Sequence, residues 1–283
     1  MCSPEVARIV SERVAREGRP QVSRRSFLRL GGLTAAGLAA ASALPVRVAR
    51  AQMMGEVVDL SHVFGTNVPT YVPSDTASRE TTVSVEKDGF YIQRWSFGEH
   101  TSTHMDIPAH FIAGGETVDN YPVGLYVSPA VIIDISAKAA DDPNAMLSLD
   151  DINAWEAANG EIPAGALVCM YSGWESKWGD IAAFRGDPGD GSLNFPGFGP
   201  DAAQFLVEER DIHGIAVDTL SLDPGNSSTF DVHYTILGAG KYGIENVANL
   251  AQLKGKMATV VVGVPRWEQG SGGPCRVMAM VEG

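Results

Sequence analysis

Cysteine is scarce in this chain, with three residues in 283, at positions 2, 169 and 275. No C-x-x-C spacing is present, which argues against a thiolate metal site, and Cys169 and Cys275 beyond the N-terminal segment set no disulfide framework. An oxidising compartment would allow that pair to bond, but their spacing does not decide it. Basic residues are the second shortage. Lysine and arginine total 21 against 34 acidic residues, a formal charge of −13. Nine of the arginines and three glutamates fall in the first 51 residues, so the remainder holds 12 basic and 31 acidic groups and a formal charge of −19. Nucleic acid is thereby excluded as an expected partner, because phosphate binding needs a basic face that releases counterions. A long, strongly apolar run is also missing: the Gly/Ala/Leu stretch at 30–44 is shorter than the roughly 20 residues of a membrane span. Leu237 to Gly243 reads LGAGKYG, without the lysine-hydroxyl ending of a phosphate-binding loop, and no G-x-G-x-x-G opens a helix, so nucleotide binding has no support.

What is present at the N-terminus is an export pattern. Ser23-Arg24-Arg25-Ser26-Phe27-Leu28 is a twin-arginine sequence, the apolar run at 30–44 follows it, and Ala49-Arg50-Ala51 offers an A-x-A cleavage site. The order predicts a twin-arginine signal peptide over 1–51, a periplasmic destination, and no stable membrane anchor after cleavage. The remaining 52–283 is long enough for one sizeable domain with a proper core.

That domain reads as α/β, with a mixed central β-sheet or barrel-like core flanked by helices. Strands are expected at 56–61, 129–135, 166–171, 214–217, 259–265 and 276–281, and a hairpin at 81–97 turning on Asp88-Gly89. Helices are expected at 148–158, with Ser148 as N-cap, at 200–210, and at 244–253 starting from Glu245. The stretch 172–200 is long and rich in glycine and proline, which suits a wall or lid of a substrate pocket. Asp218 and Ser221 follow the strand at 214–217, where polar groups commonly line a cleft, although Asp and Ser beside Pro224 and Gly225 are also ordinary turn formers.

The chemistry concentrates in one segment. His100 to His110 reads HTSTHMDIPAH, placing three of the six histidines and one carboxylate within eleven residues. Pro108 argues against a continuous helix. On an extended chain alternate side chains share a face, so His100, His104 and Asp106 can project to one side. Two imidazoles and a carboxylate on one face form an open divalent-metal site. The helical zinc-protease signature does not fit, since Glu99 precedes His100 instead of following it.

The segment resembles the signature H-x-G-T-H-x-D-x-P-x-H of the cyclase family, which includes bacterial kynurenine formamidase and isatin hydrolase. His100, Thr103, His104, Asp106, Pro108 and His110 match it, and Ser102 stands where the family usually has glycine. His233 in FDVHYT, Glu245 twelve residues on, and the segment from Asp218 to Pro224 fit as well. The resemblance covers most of the chain after about residue 55 and implies the swivelling β/β/α fold of kynurenine formamidase. It implies one ion, zinc or manganese, on His100, His104 and Asp106, and in the formamidase branch a second on Asp106, His233 and Glu245. His110 is then left as the acid/base, and a homodimer or homotetramer is expected. The expected activity is hydrolysis of a C–N amide bond in a small aromatic or cyclic substrate of the isatin or formylkynurenine kind. Tyr71, Phe90, Trp95, Phe111 and Trp174 are available to line its pocket, as are Asp218 and Ser221. A cyclase or lactonase reaction on the same metal, or a non-catalytic periplasmic binding protein, are the alternatives.

Overall fold

The computed structural model describes residues 55–282, and the signal peptide expected over 1–51 lies outside them. The described residues fall into a small unit, 79–96, and a large one comprising 55–78 and 97–282. In chain order the strands are β1 (Val57–Asp59), β2 (Ser78–Val83), β3 (Ile92–Ser96), β4 (His104–Asp106), β5 (Val127–Asp134), β6 (Met146–Leu147) and β7 (Leu167–Tyr171). They continue with β8 (Gly197–Phe198), β9 (Gly214–Val217), β10 (Tyr242–Glu245), β11 (Ala258–Gly263), β12 (Gly272–Pro274) and β13 (Arg276–Val281).

The small unit is the hairpin of β2 and β3. Its connection differs from the tight Asp-Gly turn expected. The chain makes one helical turn, Val85–Asp88, and Gly89 closes it in the left-handed conformation, φ 80°, donating its N–H to the Val85 carbonyl at 3.1 Å. Within this unit the Arg79 guanidinium lies 5.6 Å from the centre of the Trp95 ring.

In the large unit nine strands form one sheet in the order β1-β13-β11-β5-β7-β9-β10-β4-β12, curled into a half-barrel. The centre is parallel, β5 with β7, β7 with β9 and β9 with β10, and both flanks are antiparallel. Alternation along each buried strand feeds two cores. Leu167 and Cys169 of β7 pack with Met105, Tyr242 and Val260 on one face. Val168 and Met170 face the other, against the helices Leu149–Asn159, Pro200–Glu208 and Asp231–Gly238. The first of these is held by a complete capping box, Ser148 and Asp151, and the second starts at Pro200 with Gly199 as N-cap.

One expected helix is absent. The segment 244–253 begins instead as the end of β10, whose backbone pairs with β9 on one side and β4 on the other. Asn246 and Asn249 then take positive φ, 57° and 60°, which breaks any helix, and only the 3-10 turn Leu250–Leu253 remains.

Candidate metal centre

β4 is short but paired on both sides, so its side chains are rigidly aimed. His104 stands opposite Glu245 of β10 and Asp106 opposite Gly243, while on the other edge Gly272 faces Asp106 and Pro274 faces His104. His104 and Asp106 share one face, as expected of alternate residues, and Met105 between them enters the core. Beyond Asp106, Pro108 opens a 3-10 turn, Pro108–His110, that folds His110 back over the strand. The helix Asp231–Gly238 delivers His233 from the opposite side.

Six side chains therefore converge. His104 Nε2 lies 3.3 Å from Asp106 Oδ1 and 3.2 Å from Glu245 Oε2. His233 Nε2 lies 3.4 Å from Asp106 Oδ2 and 3.2 Å from Glu245 Oε1. His100 Nδ1 reaches Asp106 Oδ1 at 2.6 Å, and its ring stacks on His110 with centroids 3.6 Å apart. All are buried or half-buried.

The outer nitrogens are already engaged. His104 Nδ1 lies 2.9 Å from the Ser102 carbonyl, and His233 Nδ1 lies 2.6 Å from Asp223 Oδ2. A ring that donates from Nδ1 to such an acceptor turns an unprotonated Nε2 inward. Those nitrogens face two carboxylates, and the buried Asp106 Oδ2 has no hydrogen-bond partner. Lone pairs that converge in a buried space demand a positive charge. The same demand governs the titrations. Burial opposes a charged His104, yet Asp106 and Glu245 push it up to about 10. His233 is raised for the same reason, against burial, by Asp106, Asp223 and Glu245. Asp106 is held well below the carboxylate range by His104 and His100 despite its burial. Glu245 is lowered too, its hydrogen bonds to His104 and His233 outweighing burial and the neighbouring Asp106. Oxygen and imidazole donors brought this close, with the outer nitrogens of His104 and His233 already engaged, fit a divalent ion. His100, Asp106 and His110 form one such group and His104, Asp106 and Glu245 another, sharing Asp106.

His110 differs from the rest. Burial, with contributions from the His100 and His233 rings, depresses it to about 4 against the pull of Asp106 and Glu245. Its ring is neutral near pH 7.

A cavity of 270 Å³ opens on the cluster, and its walls include Tyr71, Phe111, Ser221, Phe230 and Asn246. Phe111 stacks on His233 at 4.5 Å, and Phe230, itself at a positive φ of 54°, stands between Phe111 and Tyr71 at 5.6 and 5.9 Å. Of the residues expected in the pocket, Tyr71, Phe111 and Ser221 line it. Trp174 and Asp218 do not. The Trp174 ring is buried with Phe184 and Phe195, and its indole N–H donates to the Phe184 carbonyl at 2.7 Å. The Asp218 carboxylate accepts from the Ser172 backbone N–H and hydroxyl and from the Trp174 N–H, which makes it a turn anchor. Trp95 and Phe90 belong to the hairpin unit. No residue of 172–200 lines the cavity, contrary to its expected role as a wall. Nothing in the sequence singles out Asp223, Phe230, Asn246, Glu99 or Ser271 as a site residue. Asp223 lay inside the matched segment 218–224, but nothing local marks it as the partner of His233 ten residues on.

The chain belongs to the cyclase family, whose model matches residues 58–224. It is similar to the isatin hydrolase of Roseibium aggregatum, 34% identical over 243 residues that cover 80% of this chain and 92% of the relative. It is also similar to the kynurenine formamidase of Bacillus cereus, 28% identical over 194 residues that cover 68% of this chain and 82% of the relative. A solved isatin hydrolase bound to the product analogue thioisatinate is similar in structure, with TM-score 0.75 and 30% identity, across 91% of this chain and 98% of that one.

Proposed function

We propose that the chain is an exported, metal-dependent hydrolase that opens the C–N bond of a small cyclic or aromatic amide of the isatin class. The observation that carries this reading is the position of His110, a neutral imidazole stacked beside a charge-demanding cluster at the mouth of an aromatic-walled cavity. Similarity to isatin hydrolase over nearly the whole of that relative supports the substrate class. At 270 Å³ the cavity lies just under the usual range of about 300–1,000 Å³ for ligand sites, which favours a small, compact substrate.

His100, His104, Asp106, His233 and Glu245 would hold the metal, as one ion or two sharing Asp106. A divalent cation there supplies positive charge that acidifies water and polarises a carbonyl. The Phe111, Phe230 and Tyr71 rings clasp the flat substrate and exclude solvent from it. His110, held by the His100 stack, takes one proton from the water whose oxygen adds to the carbonyl carbon, and returns that proton to the nitrogen as the C–N bond breaks. In a binding protein His110 would serve only as a ligand, in the group it forms with His100 and Asp106, and its loss would lower metal content. His110→Ala is therefore expected to lower kcat on isatin by at least about 100-fold, in the range general acid–base catalysis contributes, while metal content by plasma emission stays near wild type. Surviving activity would remove His110 from the mechanism, and turnover of lactones alone in a panel of isatin, formyl-anilides and lactones would remove the amide reading. Export rests on the twin-arginine pattern. Replacing Arg24 and Arg25 by lysine is expected to leave the precursor in the cytoplasm, as scored by cell fractionation.

A further inference from the structure

We propose that Ser271 and Glu99 form a positioning pair that keeps a proton on His100 Nε2 and so presents His100 Nδ1 to the metal. The proposal rests on the metal site of the reading above, not on its substrate. It follows from counting hydrogens. The Ser271 hydroxyl has one proton, and at 2.6 Å it donates to Glu99 Oε2, an acceptor that also takes the Ser271 backbone N–H at 3.1 Å. The same oxygen lies 2.9 Å from His100 Nε2. With its proton given to Glu99, the hydroxyl can only accept there, so Nε2 must carry the hydrogen. Nδ1 lies 2.6 Å from Asp106 Oδ1, a hydrogen-bond distance at which a proton bridges the two atoms in the metal-free protein; an ion would take the place of that proton, and the hydrogen held by Ser271 stays on Nε2.

His100 is thus held the opposite way round from its two neighbours. His104 and His233 are anchored through Nδ1 and offer Nε2, whereas His100 is anchored through Nε2 and offers Nδ1. The backbone of β12 is shaped for this contact. A Cβ on Gly272 would come within 2.2 Å of the Met105 carbonyl and 2.8 Å of His100 Cε1, so only glycine lets the strand lie close enough for Ser271 to reach the ring. Glu99 and Ser271 are 172 positions apart in sequence, yet both bonds between them converge on one carboxylate oxygen.

The test measures zinc affinity of the folded protein by competition with a chromophoric chelator, in wild type, Ser271→Ala, Ser271→Thr, His100→Ala and the double variant Ser271→Ala/His100→Ala. Loss of an outer partner of a metal-bound histidine typically weakens binding by about 10–100-fold. Ser271→Ala is expected to show a loss of that size at unchanged circular dichroism, and Ser271→Thr, which keeps the hydroxyl, to recover most of it. In the His100→Ala background the Ser271 change should have no further effect. A second readout is the long-range proton–nitrogen spectrum of the zinc-loaded protein, in which His100 should carry its hydrogen on Nε2. Wild-type affinity in Ser271→Ala, an undiminished effect in the absence of His100, or a His100 proton on Nδ1 would each overturn the pair while leaving the hydrolase reading intact. Absence of zinc binding by the wild type would overturn both.

Discussion

At the scale of single residues, Ser102 is the position where this chain departs from the family signature, and its backbone explains why glycine is usual there. Its φ is 62°, in the left-handed region that an L side chain enters at a cost of about 1–2 kcal/mol. The conformation is needed because the Ser102 carbonyl, turned inward, holds both His104 Nδ1 and the Asn246 side-chain amide at 2.9 and 2.8 Å. Its hydroxyl is buried without a partner, so removing it sacrifices no bond. Ser102→Gly is accordingly expected to raise the melting temperature by a few degrees, since about 1 kcal/mol corresponds to roughly 2–4 °C for a domain of this size. Ser102→Val, β-branched at positive φ, should lower it by more. Equal melting temperatures for all three would mean that the turn relaxes and stores no strain. His104 and Asp106 were legible because strand alternation decides their directions, and His110 because Pro108 turns the chain; His100 lies before the strand, beyond the left-handed Ser102, and reaches the cluster without the extended path expected of it. Ser271 and Asp223 were not legible, because their partners are set by strand pairing and helix docking across long separations.

At the scale of elements, β7 and β9 were legible as apolar runs, since burial on two faces leaves no room for polar residues, whereas β5, expected to be buried on both faces, alternates buried with partly buried or exposed positions, as do β11 and β13. The helix expected at 244–253 does not form, because its apolar spacing belongs to a strand end followed by two left-handed asparagines. The stretch 172–200 is more instructive. Its length suggested a lid, yet it folds into the 3-10 turn Trp174–Lys177, the helix Ile181–Arg185 and β8, and supports the cavity from behind. Tyr71 packs against its buried cluster of Trp174, Phe184 and Phe195. The buried Arg185 guanidinium donates to the Thr70 and Tyr71 carbonyls, the latter at 2.7 Å, and so braces the loop that carries the aromatic wall. Arg185→Met retains the apolar stem and removes the donors. It is expected to raise KM about tenfold, the equivalent of roughly 1.4 kcal/mol, with kcat within about twofold, because a loosened wall weakens substrate binding without touching His110. A fall in kcat equal to that in kcat/KM would instead place Tyr71 in contact with the transition state.

At the scale of the whole molecule, an acidic chain has gathered two of its buried carboxylates, Asp106 and Glu245, into one cluster, and the fold must find positive charge for them wherever they are ionised. In the metal-free protein protons supply it: His104, ordinarily near 6.5, is raised to about 10 by Asp106 and Glu245 in spite of burial. A histidine whose folded value exceeds its unfolded one contributes stability that is complete below the unfolded value and is lost as pH rises through the folded one. The metal-free fold should therefore weaken progressively between about pH 6.5 and 10. A bound divalent ion replaces those protons and keeps its charge across the same window, and because it binds the folded state it adds stability by mass action. The general repulsion of a chain with formal charge −13 acts on both forms alike and cancels in the comparison. The expected outcome is a gap in melting temperature between zinc-loaded and chelator-treated protein that widens from pH 7 to pH 9 in scanning fluorimetry. It should be accompanied by proton release on zinc binding, read by calorimetry in two buffers of different ionisation enthalpy. A gap that is constant or narrows as pH rises would mean that the ion and the protons do not compete for the same imidazoles, and that the charge balancing Asp106 and Glu245 comes from elsewhere.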